Sequence, residues 1–270
     1  MGEWNFFDVA SKDNLVRTVW AQSDDVLTMV AEPGGWEAPT ASGHWQVRDI
    51  VGHLVDTTEG YLGMWELTSR GEAAPEPLGV RSMNEHVDRG AMSFRGTPQD
   101  ELIARLRDDR DRMMAIVEGL DDDAWGGQMI PHSYMGPLPT CFYPVAQLVD
   151  YTVHGWDIRQ GRDQAHTMDG DAADLLVPFC LIVWQSTALT EDVEPFSIGL
   201  RLSGRNGGET RADVGPGGIA LEPGPLDELP AVLEFDPASF VLTAMGRING
   251  GTVRGDAAVA ARFTNLFFRI

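Results

Sequence analysis

The chain has 270 residues, 43% of them hydrophobic and 23% charged, which is the balance of a globular chain and excludes general disorder. Its net charge of −21, from 20 basic and 41 acidic residues, argues against nucleic acid or an anionic membrane as partner. No apolar run approaches the ~18 residues of a membrane helix, MGEWNFFDVA lacks a basic-then-apolar signal pattern, and two cysteines cannot build a disulfide framework, so a cytoplasmic protein is expected.

The charge is uneven. From Pro195 onward there are 8 acidic and 7 basic residues, against 33 and 13 before it. Composition shifts at the same place. We therefore expect an α+β protein of two domains, a helical bundle over 1–190 and a small α+β domain over 195–270.

In chain order, Leu15, Val19, Val26, Leu27 and Val30 recur at helical spacing and predict a helix over about 8–31, stopped by Pro33-Gly34-Gly35. Val47, Ile50, Val51, Leu54, Tyr61 and Trp65 predict a second over 46–68. A third is expected from near Arg81. Thr97-Pro98-Gln99-Asp100 reads as a cap, a proline at the first helical position and a first-turn acid, opening a helix that ends at Gly119. Residues 121–141 read as a long glycine- and proline-bearing loop. Further helices are expected over 142–160, with Gly161 as C-cap, and over 170–188. Helices in this succession suggest an antiparallel bundle. FSIGLRLSG alternates as a strand, Arg205-Asn206-Gly207-Gly208 reads as a turn, ETRADVG and GIALEP as strands, and Pro237–Met245 and Asp256–Phe267 as helices.

Of the six histidines, two stand in helices with suggestive company. Asp150 and His154 are four apart, so they share one helix face and could bind one divalent ion. A bundle could bring His53 alongside. Two histidines and a carboxylate with open positions suit a catalytic zinc site or another divalent transition metal. The same spacing also suits a solvated helix face, since Asp150 and His154 point away from the stripe Val145, Leu148, Val149, Thr152 and Trp156. A site here would open at the bundle edge. His44 and His132 fall in loops and His86 at a helix start, which are surface settings. Cys180 reads as core. Cys141 precedes a helix, where a thiol can have a lowered pKa, although packing is the simpler role. GxSxG, HExxH and CxxC patterns do not occur.

Trp45-Gln46-Val47-Arg48-Asp49-Ile50-Val51-Gly52-His53-Leu54 resembles the second-helix signature of the mycothiol-dependent maleylpyruvate isomerases, within the wider DinB-like metal-binding four-helix bundles. Val153-His154-Gly155-Trp156-Asp157-Ile158 with Gly161 is similar to that family's second signature. Leu242-Thr243-Ala244-Met245-Gly246-Arg247 and Val253-Arg254-Gly255-Asp256 resemble its appended sterol-carrier-like domain. The resemblance implies metal ligands at His53, Asp150 and His154, with zinc the expected ion. It departs at Asp150, where glutamate is common; the shorter side chain would bring a metal closer to the helix backbone. Gln46 also stands where a serine or threonine cap is usual.

The family further implies mycothiol as thiol cosubstrate. A thiolate adds to an electron-poor double bond; rotation and elimination give the isomer, while loss of another leaving group gives an S-conjugate. Isomerase and thiol transferase are thus two outcomes of one site. A small anionic or electrophilic substrate is expected, and Arg247 is the candidate to bind its carboxylate. Asp157 could orient a ligand. Two other readings remain open from the sequence: a hydrolase using metal-bound water, and a non-catalytic metal-binding regulatory module.

Overall fold

The computed structural model describes residues 2–268. Its contacts divide the chain into two compact units, Gly2–Met168 and the chain from Asp169 on.

In the first unit, α1 (Lys12–Val30), α2 (Val47–Ser69), α4 (Gln99–Gly119) and α6 (Phe142–Gly161) form the bundle. α1 packs along α6 and α2 along α4. The expected apolar stripes meet inside: Leu15 and Val19, Ile50 and Leu54, Leu102 and Leu106, and Val145 and Leu148 are all buried. The short α3 (Met83–Ser93) lies against α2. Gly52 permits this, because a Cβ there would meet the Ala91 carbonyl oxygen at 2.4 Å. That contact falls one residue before His53.

The start of α2 is fixed by Asp49 rather than by a hydroxyl cap. Its carboxylate accepts from the Gln46 backbone N–H at 2.9 Å and from Arg95 at 2.7 and 2.8 Å. Burial alone would raise the Asp49 pKa, but the Arg95 and Gln46 hydrogen bonds outweigh it and hold the carboxyl below the usual range.

Three expectations need correction here. Thr97 does not cap α4; Pro98 occupies the N-cap position. Residues 121–141 are not an open loop. They fold into α5 (Asp122–Gly127) and an antiparallel hairpin, β1 (Met129–His132) with β2 (Gly136–Pro139), packed on α2. The prolines that argued against strands sit in a two-stranded ribbon, where edge positions tolerate them. The helix at 170–188, placed by the sequence in the bundle, is α7 (Gly170–Thr187) and belongs to the second unit. Apolar periodicity shows that a helix has a partner but not which one.

The second unit is a five-stranded sheet with helices. The strands are β3 (Phe196–Leu202), β4 (Gly208–Gly215), β5 (Gly218–Pro223), β6 (Ala231–Phe235) and β7 (Thr252–Gly255), in the order β5-β4-β3-β6-β7. β3 and β6 are parallel and the other pairs antiparallel. α7, α8 (Pro237–Ala244) and α9 (Ala257–Thr264) share with the sheet a core around Trp184, Phe235, Phe240 and Phe263. Together the units make the α+β architecture expected. Among the described residues no helix is long and apolar enough to cross a membrane.

One buried carboxyl in the bundle carries a pH signature. Asp109 of α4 is 4% exposed, and its Oδ2 meets no donor. Burial, then the nearby Glu59 carboxylate, raise the Asp109 pKa to about 6. Because this lies above the ordinary aspartate value of 3.8, the folded state binds a proton that the unfolded chain releases between the two values. Stability from this group is present at acid pH and lost as pH rises through about 6. Asp109→Asn is therefore expected to stabilise the protein at alkaline pH by about 1 kcal/mol, after discounting for solvent screening. At acid pH the variant should match the parent. Thermal unfolding at both pH extremes checks this, and the same offset at each would disprove it.

Candidate metal centre

α2 presents His53 and α6 presents Asp150 and His154, and the tertiary fold brings all three together. One ligand atom from each lies within 4.8 Å of the other two. His53 Nε2 is 3.4 Å from Asp150 Oδ1, and the imidazole centroids are 4.9 Å apart at 77°. The cluster is not at the bundle edge, as the stripe argument placed it. His53 and His154 are 7% and 6% exposed. α6 is buried around most of its circumference, so its polar face is interior as well. Asp150 keeps 18% side-chain exposure and marks the open side.

Neighbours set the tautomers. His154 Nδ1 lies 2.9 Å from Asp157 Oδ2. Asp157 is fully buried, and a carboxylate only accepts, so Nδ1 carries the proton and Nε2 keeps its lone pair. Asp157 is three residues beyond His154, on the same helix face, which is why the sequence could nominate it. His53 Nδ1 has the Thr57 hydroxyl at 3.3 Å, one turn along α2, as a possible acceptor. Trp45 covers both imidazoles, with its ring 5.3 Å from that of His53 and 5.8 Å from that of His154. Its indole N–H donates to Asp88 at 2.8 Å, tying this wall to α3.

Two imidazoles and one carboxylate, with at least one imidazole held in the ligating tautomer, are a donor set that fits a divalent transition metal. Three ligands leave coordination positions for a further group.

The sequence reading missed part of the surroundings. His132 is not a surface loop residue. It ends β1, partly buried, with Tyr61 5.7 Å and Tyr143 6.4 Å away between ring centroids. Burial pushes its pKa down to about 4. Tyr61, a member of the α2 apolar stripe, thus also faces a histidine. His44 pairs with Asp88, and His86 of α3 faces the carbonyl of Ser82, the residue before that helix. Cys141 is buried, and burial pushes its thiol up to about 11, in keeping with a packing role. Cys180 is likewise buried core. Arg247 belongs to the second unit, in the turn after α8. Its backbone N–H donates to Leu242 and its Nη1 to the Met245 carbonyl, each at 2.8 Å.

No curated protein sequence matches the chain. Among solved structures, the crystal structure of the mycothiol-dependent maleylpyruvate isomerase superposes with a TM-score of 0.60 at 12% identity, covering 91% of this chain and 94% of that one. The structure of a point mutant of the mycothiol-dependent maleylpyruvate isomerase gives the same TM-score, identity and coverage. At this identity the likeness shows a shared fold. The family described as "Mycothiol maleylpyruvate isomerase N-terminal domain" matches residues 16–159, a span that holds His53, Asp150, His154 and Asp157. By that match over more than half its length, the chain belongs to the mycothiol maleylpyruvate isomerase N-terminal domain family.

Proposed function

We propose that the protein is a divalent-metal-dependent enzyme, with zinc the expected ion, that uses mycothiol to attack an anionic, electrophilic small molecule. Isomerisation of a maleylpyruvate-type double bond and S-conjugation are the two products such a site can give. It would act in the cytoplasm, where two buried free cysteines stay reduced. The observation that carries this reading is the His53–Asp150–His154 cluster, with Asp157 on the His154 ring, inside the segment that matches the family.

A divalent cation bound there would supply Lewis acidity, lowering the pKa of a coordinating thiol so that thiolate is present near neutral pH. The chain's own groups do the rest. His53, Asp150 and His154 would hold the ion; Asp157 keeps the His154 proton on Nδ1; Trp45 shields the imidazoles from bulk water, which would compete for open positions.

The test is to incubate zinc-reconstituted protein with mycothiol and maleylpyruvate. The trans isomer or a mycothiol adduct, dependent on both metal and thiol, supports the reading. Turnover without thiol would select a hydrolase. Bound metal with no turnover on a panel of electrophiles would select a regulatory module.

Arg247 is proposed to bind a substrate carboxylate through two parallel hydrogen bonds. Arg247→Ala should leave metal content intact and lower turnover of an anionic substrate about tenfold or more. Arg247→Lys should recover only part, since a point charge cannot reproduce the planar fork. Steady-state kinetics beside metal analysis checks both, and unchanged kinetics for Arg247→Ala would remove the role.

A further inference from the structure

Addition of a thiolate to an alkene conjugated with a carbonyl forms a C–S bond and moves the alkene π pair onto the carbonyl oxygen as an enolate. Elimination returns that pair, breaks the C–S bond and regenerates thiolate and alkene. No oxidant and no net proton are needed. The charge that develops is on oxygen, so the useful groups are hydrogen-bond donors placed to meet it.

Two such donors stand together along the bundle from the ligand cluster, packed on Tyr143, which lies two turns before Asp150 on α6. Tyr61 lies two turns beyond His53 on α2, and His132 closes β1 with its ring 5.7 Å from that of Tyr61. Both are near enough to Asp150 for its negative charge to act on them. The position of β1 is not left to chance. The Tyr143 hydroxyl of α6 donates to the carbonyls of Ile130 at 3.1 Å and Pro131 at 2.7 Å, and its ring packs edge-on against Tyr61 at 5.1 Å. The Tyr134 backbone N–H donates to His132 Nδ1 at 3.3 Å. That bond fixes the tautomer: in the neutral ring the proton is on Nε2.

Burial keeps both groups in the donor form. It holds His132 neutral down to about 4, and it raises the Tyr61 pKa well above normal, with Asp150 adding to the rise. Neither His132 Nε2 nor the Tyr61 hydroxyl has a hydrogen-bond partner among the described residues. A donor without a protein acceptor beside a reactive centre is available to a substrate oxygen.

We propose that Tyr61 and His132 form a two-donor subsite beside His53, Asp150 and His154 that binds the carbonyl oxygen of an α,β-unsaturated carbonyl substrate and stabilises the enolate formed when thiolate adds. The proposal rests on the thiol-dependent reading above for its chemistry, but the donor subsite can be tested apart from turnover.

The experiment uses the zinc-loaded full chain and the variants Tyr61→Phe, His132→Leu and His132→Gln, the last placing an amide N–H near the position of Nε2. Nitrogen NMR of labelled histidine should find His132 neutral with its proton on Nε2 at neutral pH. Infrared spectra of pyruvate, labelled at its ketone carbon and serving as an unreactive carbonyl probe, should show the ketone stretch lowered by the parent protein. The lowering should be lost in the Tyr61→Phe, His132→Leu double variant. In turnover, Tyr61→Phe and His132→Leu should each lower kcat about tenfold or more with KM and metal content nearly unchanged, and His132→Gln should recover part of the loss.

A proton on Nδ1, no shift of the ketone stretch in the parent, or unchanged kcat in an active enzyme would each overturn the subsite. If the parent fails to turn over with mycothiol while the NMR and infrared results hold, the thiol reading fails and the carbonyl-binding subsite stands.

Discussion

Replacing either His53 or His154 by alanine is expected to abolish divalent-metal binding. The protein as isolated, or after zinc reconstitution, should hold about one ion per chain. Removing one imidazole leaves a single imidazole and Asp150, a pair that rarely retains zinc against buffer. The rings also pack on each other and under Trp45, so each substitution opens space in a buried site and some loss of stability will accompany it. Asp150→Asn should weaken binding less, because the amide oxygen still coordinates without the charge. Metal analysis after exhaustive dialysis, read beside a thermal-unfolding curve, separates lost ligation from lost folding. A parent protein with well below a tenth of an ion per chain after reconstitution would sink the site.

Asp157→Ala should lower metal affinity about 10- to 100-fold while all three ligands remain. Asp157 acts on the site through His154, with its Oδ2 2.9 Å from Nδ1. Without it the imidazole loses both its tautomer preference and its orientation, so part of the binding free energy goes to restoring them. Asp157→Asn is the sharper probe. It keeps the volume, but its amide can offer an N–H to Nδ1, which favours the proton on Nε2 and opposes ligation there. It should therefore be no better than Asp157→Ala for metal, despite being the smaller change. Competition titration with a zinc chelator measures both, and an Asn variant that binds like the parent would assign Asp157 a structural role only.

The sequence alone was enough for the bundle helices, because α1, α2, α4 and α6 each bury an apolar stripe whose period is visible in the residues. It put Asp150, His154 and Asp157 on one helix face, because spacing within a helix is local, but that spacing suited a solvated face equally. It offered His53 as a candidate that a bundle could bring alongside and assigned it as a ligand through the resemblance, since α2 and α6 meet by tertiary packing and no spacing links residue 53 to residue 150. Three features belonged to the tertiary structure alone. Burial of the cluster depends on α6 being enclosed on most sides, which a stripe argument read as an exposed face. The helix at 170–187 joined the sheet-bearing unit because the partner of an apolar stripe is chosen by the packing surfaces available, not by the stripe. His132 met Tyr61 because the Tyr143 hydroxyl of α6 holds a proline-containing hairpin in place, through hydrogen bonds across 12 and 13 residues to a segment whose local signals pointed to loop. Periodicity reports which side of an element avoids water; which elements then face one another is decided by close packing and by a few long-range hydrogen bonds.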